Sequence, residues 1–181
     1  MLAKGKILVS EPFLGDSNFE RSVILLCDHS EESSFGFVLN KPSIISLDSV
    51  IAGVKNYSDS IYVGGPVGQD TLHFIHRHDF ALEGDREIAE NVYWGGNFDQ
   101  VKRLLLKNEI PSEDIRFFLG YSGWGEGQLQ AEISQSSWII GDATAEDLFD
   151  VPPEELWRVI LKNMGGKYKM FANYPIDPRL N

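Results

Sequence analysis

Residues 22–42 read SVILLCDHSEESSFGFVLNKP, and this stretch decides the architecture. Ser22-Val23-Ile24-Leu25-Leu26-Cys27 is a near-continuous apolar run with β-branched residues. That pattern marks a strand buried on both faces, because a half-exposed strand alternates apolar and polar side chains. The polar loop Ser30-Glu31-Glu32-Ser33-Ser34 follows. Phe35-Gly36-Phe37-Val38-Leu39 then reads as the hairpin partner, stopped at Asn40-Lys41-Pro42.

Outward from this hairpin, Ile7-Leu8-Val9 is a strand ending before Pro12, and Ser46 caps a short helix through Leu47, Val50 and Ile51. Ile61-Tyr62-Val63 runs into Gly64-Gly65-Pro66, a sharp turn by composition. Residues 71–77 and 88–94 read as further strands. Asn97 and Gln100 form a capping pair ahead of Phe98, Val101, Leu104 and Leu105, an apolar stripe at helical spacing. Residues 115–119 form a strand leading into the glycine-rich Gly120-Tyr121-Ser122-Gly123-Trp124-Gly125-Glu126-Gly127. Residues 128–133 fit a helix or a strand, and 137–140 a strand. Thr144 caps a turn through Asp147 and Phe149. Pro152 and Pro153 suit the first turn of a helix carrying Leu156, Trp157, Ile160, Leu161 and Met164, ended by Gly165-Gly166. Strands come in runs with helices inserted irregularly, which reads as α+β rather than a doubly wound sheet. One compact domain spans 1–181, with about 166–181 as a C-terminal tail.

The chain has 181 residues, 43% of them hydrophobic, with 27 acidic and 16 basic side chains and a formal charge of −11. Such a composition supplies a core and excludes a disordered chain. Both halves are net acidic, so neither offers the basic surface that phosphate neutralisation requires. The one positive stretch, Lys162, Lys167, Lys169 and Arg179 with Asp177 as the single acid, matches cations at a helix C-terminus. Cys27 is the single cysteine, which excludes an intrachain disulfide. The apolar run at the N-terminus is too short for a signal peptide, and no run approaches the ~20 residues of a membrane-spanning helix. The expectation is a cytoplasmic chain with no membrane partner.

Gly120-Tyr121-Ser122-Gly123-Trp124 superficially resembles a nucleophile elbow, but the last position should be glycine. All four histidines (29, 73, 76 and 78) also precede Ser122, whereas an α/β-hydrolase needs one after it. The glycines signal backbone at positive φ or in close approach, as a structural turn or a ligand-contacting loop. Alternation puts His76 and His78 on one strand face and His73 on the other. Two imidazoles with Glu83 beyond them lack the third ligand of a catalytic zinc, so no metal is expected. No catalytic residue and no cofactor are assigned. Cys27 ends a buried strand beside Asp28 and His29, reading as an inert core thiol, with a redox role as the alternative.

In order along the chain, Phe19-Glu20-Arg21-Ser22-Val23, Gly36-Phe37-Val38-Leu39-Asn40-Lys41-Pro42, Val63-Gly64-Gly65-Pro66-Val67, Leu72-His73-Phe74-Ile75-His76, Gly120-Tyr121-Ser122-Gly123-Trp124 with Gly127-Gln128-Leu129, Ser137-Trp138 and the closing Tyr174-Pro175-Ile176-Asp177-Pro178 resemble the bacterial YqgE/AlgH family. The resemblance covers nearly the whole chain. It implies a bent, partly barrel-like sheet flanked by helices, in a bacterial cytosolic protein of a family often labelled as transcriptional regulators, with no established catalytic residues to carry over. Ser122 stands where the family more usually has alanine, and Gln130 replaces a common glutamate.

These readings converge on a regulatory or binding protein with an unknown protein or small-molecule partner, acting without direct contact to nucleic acid. The alternative is a small enzyme or a thiol sensor using Cys27. The candidate ligand-binding residues are Asn40, Gly64, Gly65, Pro66, Tyr121, Ser122, Gly123, Trp124 and Gln128, the glycine turns forming walls of one cleft with Tyr121 and Trp124 as apolar faces.

Overall fold

A computed structural model describes residues 1–57, 61–77 and 80–176; His78, Asp177, Pro178 and Arg179 lie outside the described residues. Strands β1 (Ile7–Ser10), β2 (Val23–His29) and β3 (Ser34–Val38) form an antiparallel meander. The continuous apolar run of β2 has the expected cause. Val23, Leu25 and Cys27 face one core, while Ile24 and Leu26 face another on the opposite side of the sheet. Each of these five side chains is buried, so alternation in polarity has no physical basis here.

Next come α1 (Leu47–Val50), β4 (Ile61–Val63), β5 (Val67–Arg77), β6 (Arg86–Ala89), β7 (Val92–Trp94) and α2 (Phe98–Leu106). They are followed by β8 (Ile115–Trp124), α3 (Gln128–Ser134), β9 (Trp138–Gly141), α4 (Ala145–Asp150), α5 (Pro153–Met164) and α6 (Gly166–Phe171). The nine strands make one sheet in the order β6-β7-β5-β8-β3-β2-β1-β9, with β4 paired in parallel to β8 and the other pairs antiparallel. The sheet curls into a half-barrel, and the whole is one mixed α+β domain.

Helices α4, α5 and α6 pack on the core that includes Val9, Leu25, Phe37 and Phe118, inserting Phe149, Trp157 and Leu161. The Trp157 indole donates to the Ser10 carbonyl at 3.0 Å. Helices α1 and α2 cover the other face through Leu47, Val101 and Leu105 against Phe74 and Phe117. Gly165 caps α5 at φ 69° as read, yet α6 follows at once and its Tyr168 and Phe171 pack on the main core. Thr144 and Asp147 form a reciprocal capping box. Asn97 caps α2 by accepting from Gln100 N, while the Gln100 side chain turns away to accept from Glu83 N. No helix among the described residues is long and apolar enough to cross a membrane.

Three sequence readings change. The strand expected over 88–94 is the hairpin β6–β7, reversed at Glu90-Asn91, where Asn91 adopts φ 57°. Asparagine tolerates this left-handed backbone, so it served as a turn signal inside an apolar run. Residues 128–134 form a helix, entered through Gly127 at φ 67°. The largest change concerns Gly120-Tyr121-Ser122-Gly123-Trp124, expected as a turn or loop: all five residues lie within β8. Gly120 has φ 68° and sits opposite an irregularity in β5 between Val67 and Leu72. Before it β8 pairs with β5, as in Leu119↔Leu72; beyond it β8 keeps one β5 partner, Tyr121↔Val67, and pairs with β3, as in Ser122↔Gly36. Strand alternation also changes phase there. Phe117 and Leu119 face the α2 side, whereas both Phe118 and Tyr121 pack on the main core. Gly120 is therefore a bulge that bends and re-phases the central strand.

Candidate functional site

The re-phased half of β8 builds a concavity of about 560 Å³. Its walls come from four strands: Phe35 on β3, His73 on β5, Trp94 on β7, and Tyr121 with Gly123 on β8. Direct pairing of Phe35 with Gly123 puts the Phe35 ring beside a position without a side chain. Ser33, Ser34 and Val67 also line it, and Trp124 reaches the cleft from the end of β8. A smaller hollow of about 250 Å³, floored by Gly95 and Gly96, shares His73 and Trp94 with it. A volume of this order suits a small-molecule site.

The rings meet at steep angles. Phe35 and Trp94 are 4.8 Å apart at 65°, Phe35 and Tyr121 6.2 Å apart at 82°, and His73 and Tyr121 6.0 Å apart at 83°. Edge-to-face contacts fix the rings against one another and leave ring faces open to the cleft. Burial lowers the His73 pKa from its usual value, which holds the imidazole neutral at pH 7.

Of the residues singled out in the sequence, Tyr121, Gly123 and Trp124 line this cleft. Gly64, Gly65 and Ser122 lie close behind it, in backbone contact. Gly64 N donates to Leu119 O at 2.9 Å, Ser122 Oγ donates to Gly64 O at 3.1 Å, and a Cβ on Gly65 would stand 2.3 Å from the Tyr121 carbonyl. The two glycine motifs thus meet through backbone packing, and Gly64 and Gly65 are not among the residues that line the cleft; Pro66 follows them in the connection to β5. Trp124 is 5% exposed, and its indole N–H, like that of Trp138, donates to Glu132 Oε2, at 2.9 and 2.7 Å. Gln128 lies at the start of α3, accepting from Gly125 N and donating to Glu132. Asn40 sits apart from the cleft residues in its bonding: it accepts from Val23 N and donates to Arg21 O, both at 2.9 Å, tying the strand β3 exit to the chain before β2.

Cys27 is buried, and desolvation first, with Asp28 second, raises its thiol pKa well above the usual value. That opposes thiolate formation. His76 lies on the face of β5 away from the cleft, fully buried, stacked on Tyr93 and 3.5 Å from Asp85. Among the described residues no group of three metal-ligating side chains comes together. Phe35, Val67, His73 and Trp94 line the cleft without being among the binding candidates legible in the sequence. In sequence, His73 stands out only as the histidine on the strand face opposite His76 and His78.

Fold and cleft define the class: a single-domain α+β half-barrel whose re-phased central strand opens an aromatic cleft. The sequence model of the AlgH-like family matches residues 7–169, and the chain belongs to that family. A UPF0301 protein from Cytophaga hutchinsonii is 50% identical over the full length of both chains. One from Chlorobium limicola is 43% identical, covering 99% of this chain and 96% of its own. Among solved structures, the AlgH protein from Pseudomonas aeruginosa aligns with a TM-score of 0.74 at 28% identity, over 94% of this chain and 93% of that one. A Corynebacterium diphtheriae protein shares the fold at a TM-score of 0.79 and 23% identity, over 96% and 93% of the two chains.

Proposed function

We propose that this protein is a non-enzymatic binding protein with a regulatory role, and that the aromatic cleft between β3, β5, β7 and β8 takes its small-molecule ligand. The observation that carries this reading is the cleft itself: 560 Å³, walled by Phe35, Trp94 and Tyr121 and reached by the neutral imidazole of His73. Rings of this size exposed together in a concavity supply most of the affinity of a small-ligand site, while a few polar groups orient the ligand. The −11 charge supports a regulatory effect that passes through a ligand or protein partner rather than through contact with DNA. A cytoplasmic location accords with the single cysteine.

The test is a two-dimensional amide spectrum of the labelled protein titrated with a mixture of small organic fragments. Shifts should concentrate at Phe35, His73, Trp94, Tyr121 and Gly123 and vanish in Gly123→Leu, whose side chain projects into the cleft. Shifts that centre elsewhere, or persist in that variant, overturn the reading. A gel shift with duplex DNA at sub-micromolar affinity, collapsing as salt rises, would overturn the exclusion of direct DNA contact.

A further inference from the structure

Resting on the reading of the cleft as a binding site, we infer that its ligand is an uncharged planar heteroaromatic carrying a ring N–H, which it donates to Nδ1 of His73. Three observations converge on that chemistry. The first is the lining: Phe35, Val67, Trp94, Tyr121 and Trp124 give apolar walls, and the polar remainder is two serines, one histidine and backbone. Among the described residues, no Lys, Arg, Asp or Glu lines it. A buried charge without a partner is strongly disfavoured, so a cleft without ionic groups selects against ionic ligands.

The second is ring geometry. The Phe35–Tyr121 and His73–Tyr121 pairs stand at 82° and 83°, so the walls present a flat face on one side and ring edges on another. A planar ring meets the face by offset stacking and the edges by T-shaped contact, whereas a globular aliphatic body meets neither well.

The third is a hydrogen-bond chain that fixes the histidine tautomer. Thr71 Oγ1 has one proton, and it goes to the Gly68 carbonyl, which can only accept, at 2.6 Å. The contact of 3.0 Å between Thr71 Oγ1 and His73 Nε2 must then run the other way, with Nε2–H donating to the hydroxyl. A neutral imidazole protonated at Nε2 keeps its lone pair on Nδ1. No hydrogen bond to Nδ1 forms among the described residues. His73 lines the cleft, so the lining carries an acceptor nitrogen among aromatic rings, and the matching ligand brings a donor in the plane of an aromatic ring.

Indole is the probe, with 1-methylindole as the same ring without its donor, and indole-3-acetate and tryptamine as anionic and cationic versions. Affinities are measured by titration calorimetry and located by amide shifts, in the native protein, His73→Phe and Gly123→Leu, with circular dichroism confirming that each variant folds. One neutral hydrogen bond corresponds to a preference of about 3- to 10-fold. The expected result is indole ahead of 1-methylindole by that factor in the native protein and equal to it in His73→Phe, with both charged analogues weaker and all binding lost in Gly123→Leu. Should Gly123→Leu prove unfolded, Gly123→Ala, with indole weakened but present, serves in its place. If a charged analogue binds best at the cleft, or 1-methylindole matches indole there in the native protein, the ligand class falls while the cleft stands. If no probe shifts the cleft residues, both this inference and the binding reading fall.

Discussion

Gly65→Ala should destabilise the fold severely, and Gly123→Ala should not, although both glycines belong to motifs that read as turns. A Cβ on Gly65 would lie 2.3 Å from the carbonyl carbon and oxygen of Tyr121 and 2.5 Å from Ser122 N, against an ordinary contact of 3.4–4 Å. Relief requires the β4–β5 connection to retreat from β8 by more than about 1 Å. The neighbouring Gly64 resists that movement, because it donates to Leu119 O at 2.9 Å and accepts from Val38 N at 2.8 Å and from Ser122 Oγ at 3.1 Å. Overpacking of this kind costs roughly 1–3 kcal/mol, and each weakened buried hydrogen bond adds about 1. The expected loss is about 3 kcal/mol or more, from a total that for such a domain is roughly 5–15 kcal/mol. At Gly123 the nearest atom is Tyr121 Cε2 at 3.2 Å, the movable edge of a half-buried ring, and the backbone lies outside the left-handed region. Alanine there also restricts the unfolded chain, which offsets the contact, so the change should stay within about 1 kcal/mol. Urea unfolding followed by tryptophan fluorescence measures both. Equal losses, or a larger loss at Gly123, would refute the assignment of Gly65 to architecture and Gly123 to the cleft.

The lowered pKa of His73 makes stability depend on pH in a defined direction. The unfolded imidazole binds its proton near pH 6.5 and the folded one only at lower pH, so stability falls as pH drops below about 6.5 and levels off below the folded value; urea midpoints between pH 7.5 and 5 should fall further for the native protein than for His73→Phe. Glu132→Ala removes the one oxygen that receives both the Trp124 and Trp138 indole protons, and should cost about 2 kcal/mol in the same urea assay, with Glu132→Gln recovering at least half of it. Cys27, buried with its thiol pKa raised, should be silent to a disulfide reagent in the folded protein and react fully in denaturant; stoichiometric reaction under native conditions would revive a thiol role.

The strands were legible where burial was continuous. Val23 to Cys27 could be read because both faces of β2 meet apolar cores, and the α5 stripe Leu156, Trp157, Ile160 and Leu161 because one helical face is covered. The second half of β8 was not legible, since glycine raises the same sequence signal for a turn, a bulge and a close approach. All three coexist here within a few residues. Asn40 offers an amide beside a strand end, yet both halves of that amide are engaged by backbone. Cleft membership was the least legible property. Phe35 and Trp94 meet at 4.8 Å only because β3 and β7 flank the β5–β8 pair, a register set by pairings between residues far apart in sequence.

One local event links the curl of the sheet to the cleft. Had β8 kept strict alternation through Gly120, Tyr121 would share the face of Phe117 and Leu119, beneath α2, and Ser122 would share that of Phe118. The bulge instead turns Tyr121 towards Phe35 and His73 and places Gly123 opposite Phe35. A side chain at Gly120 would meet Val67 O at 2.6 Å and Gly65 O at 2.9 Å while holding φ near 68°, a backbone that L-residues adopt at a cost. Glycines 64, 65 and 120 therefore shape the cleft without touching what binds in it. Substitution at any of them should remove binding and stability together. Gly123→Leu should remove binding, and His73→Phe the preference for a ring N–H, with the fold intact, and that separation is the physical difference between the residues that build the site and those that form it.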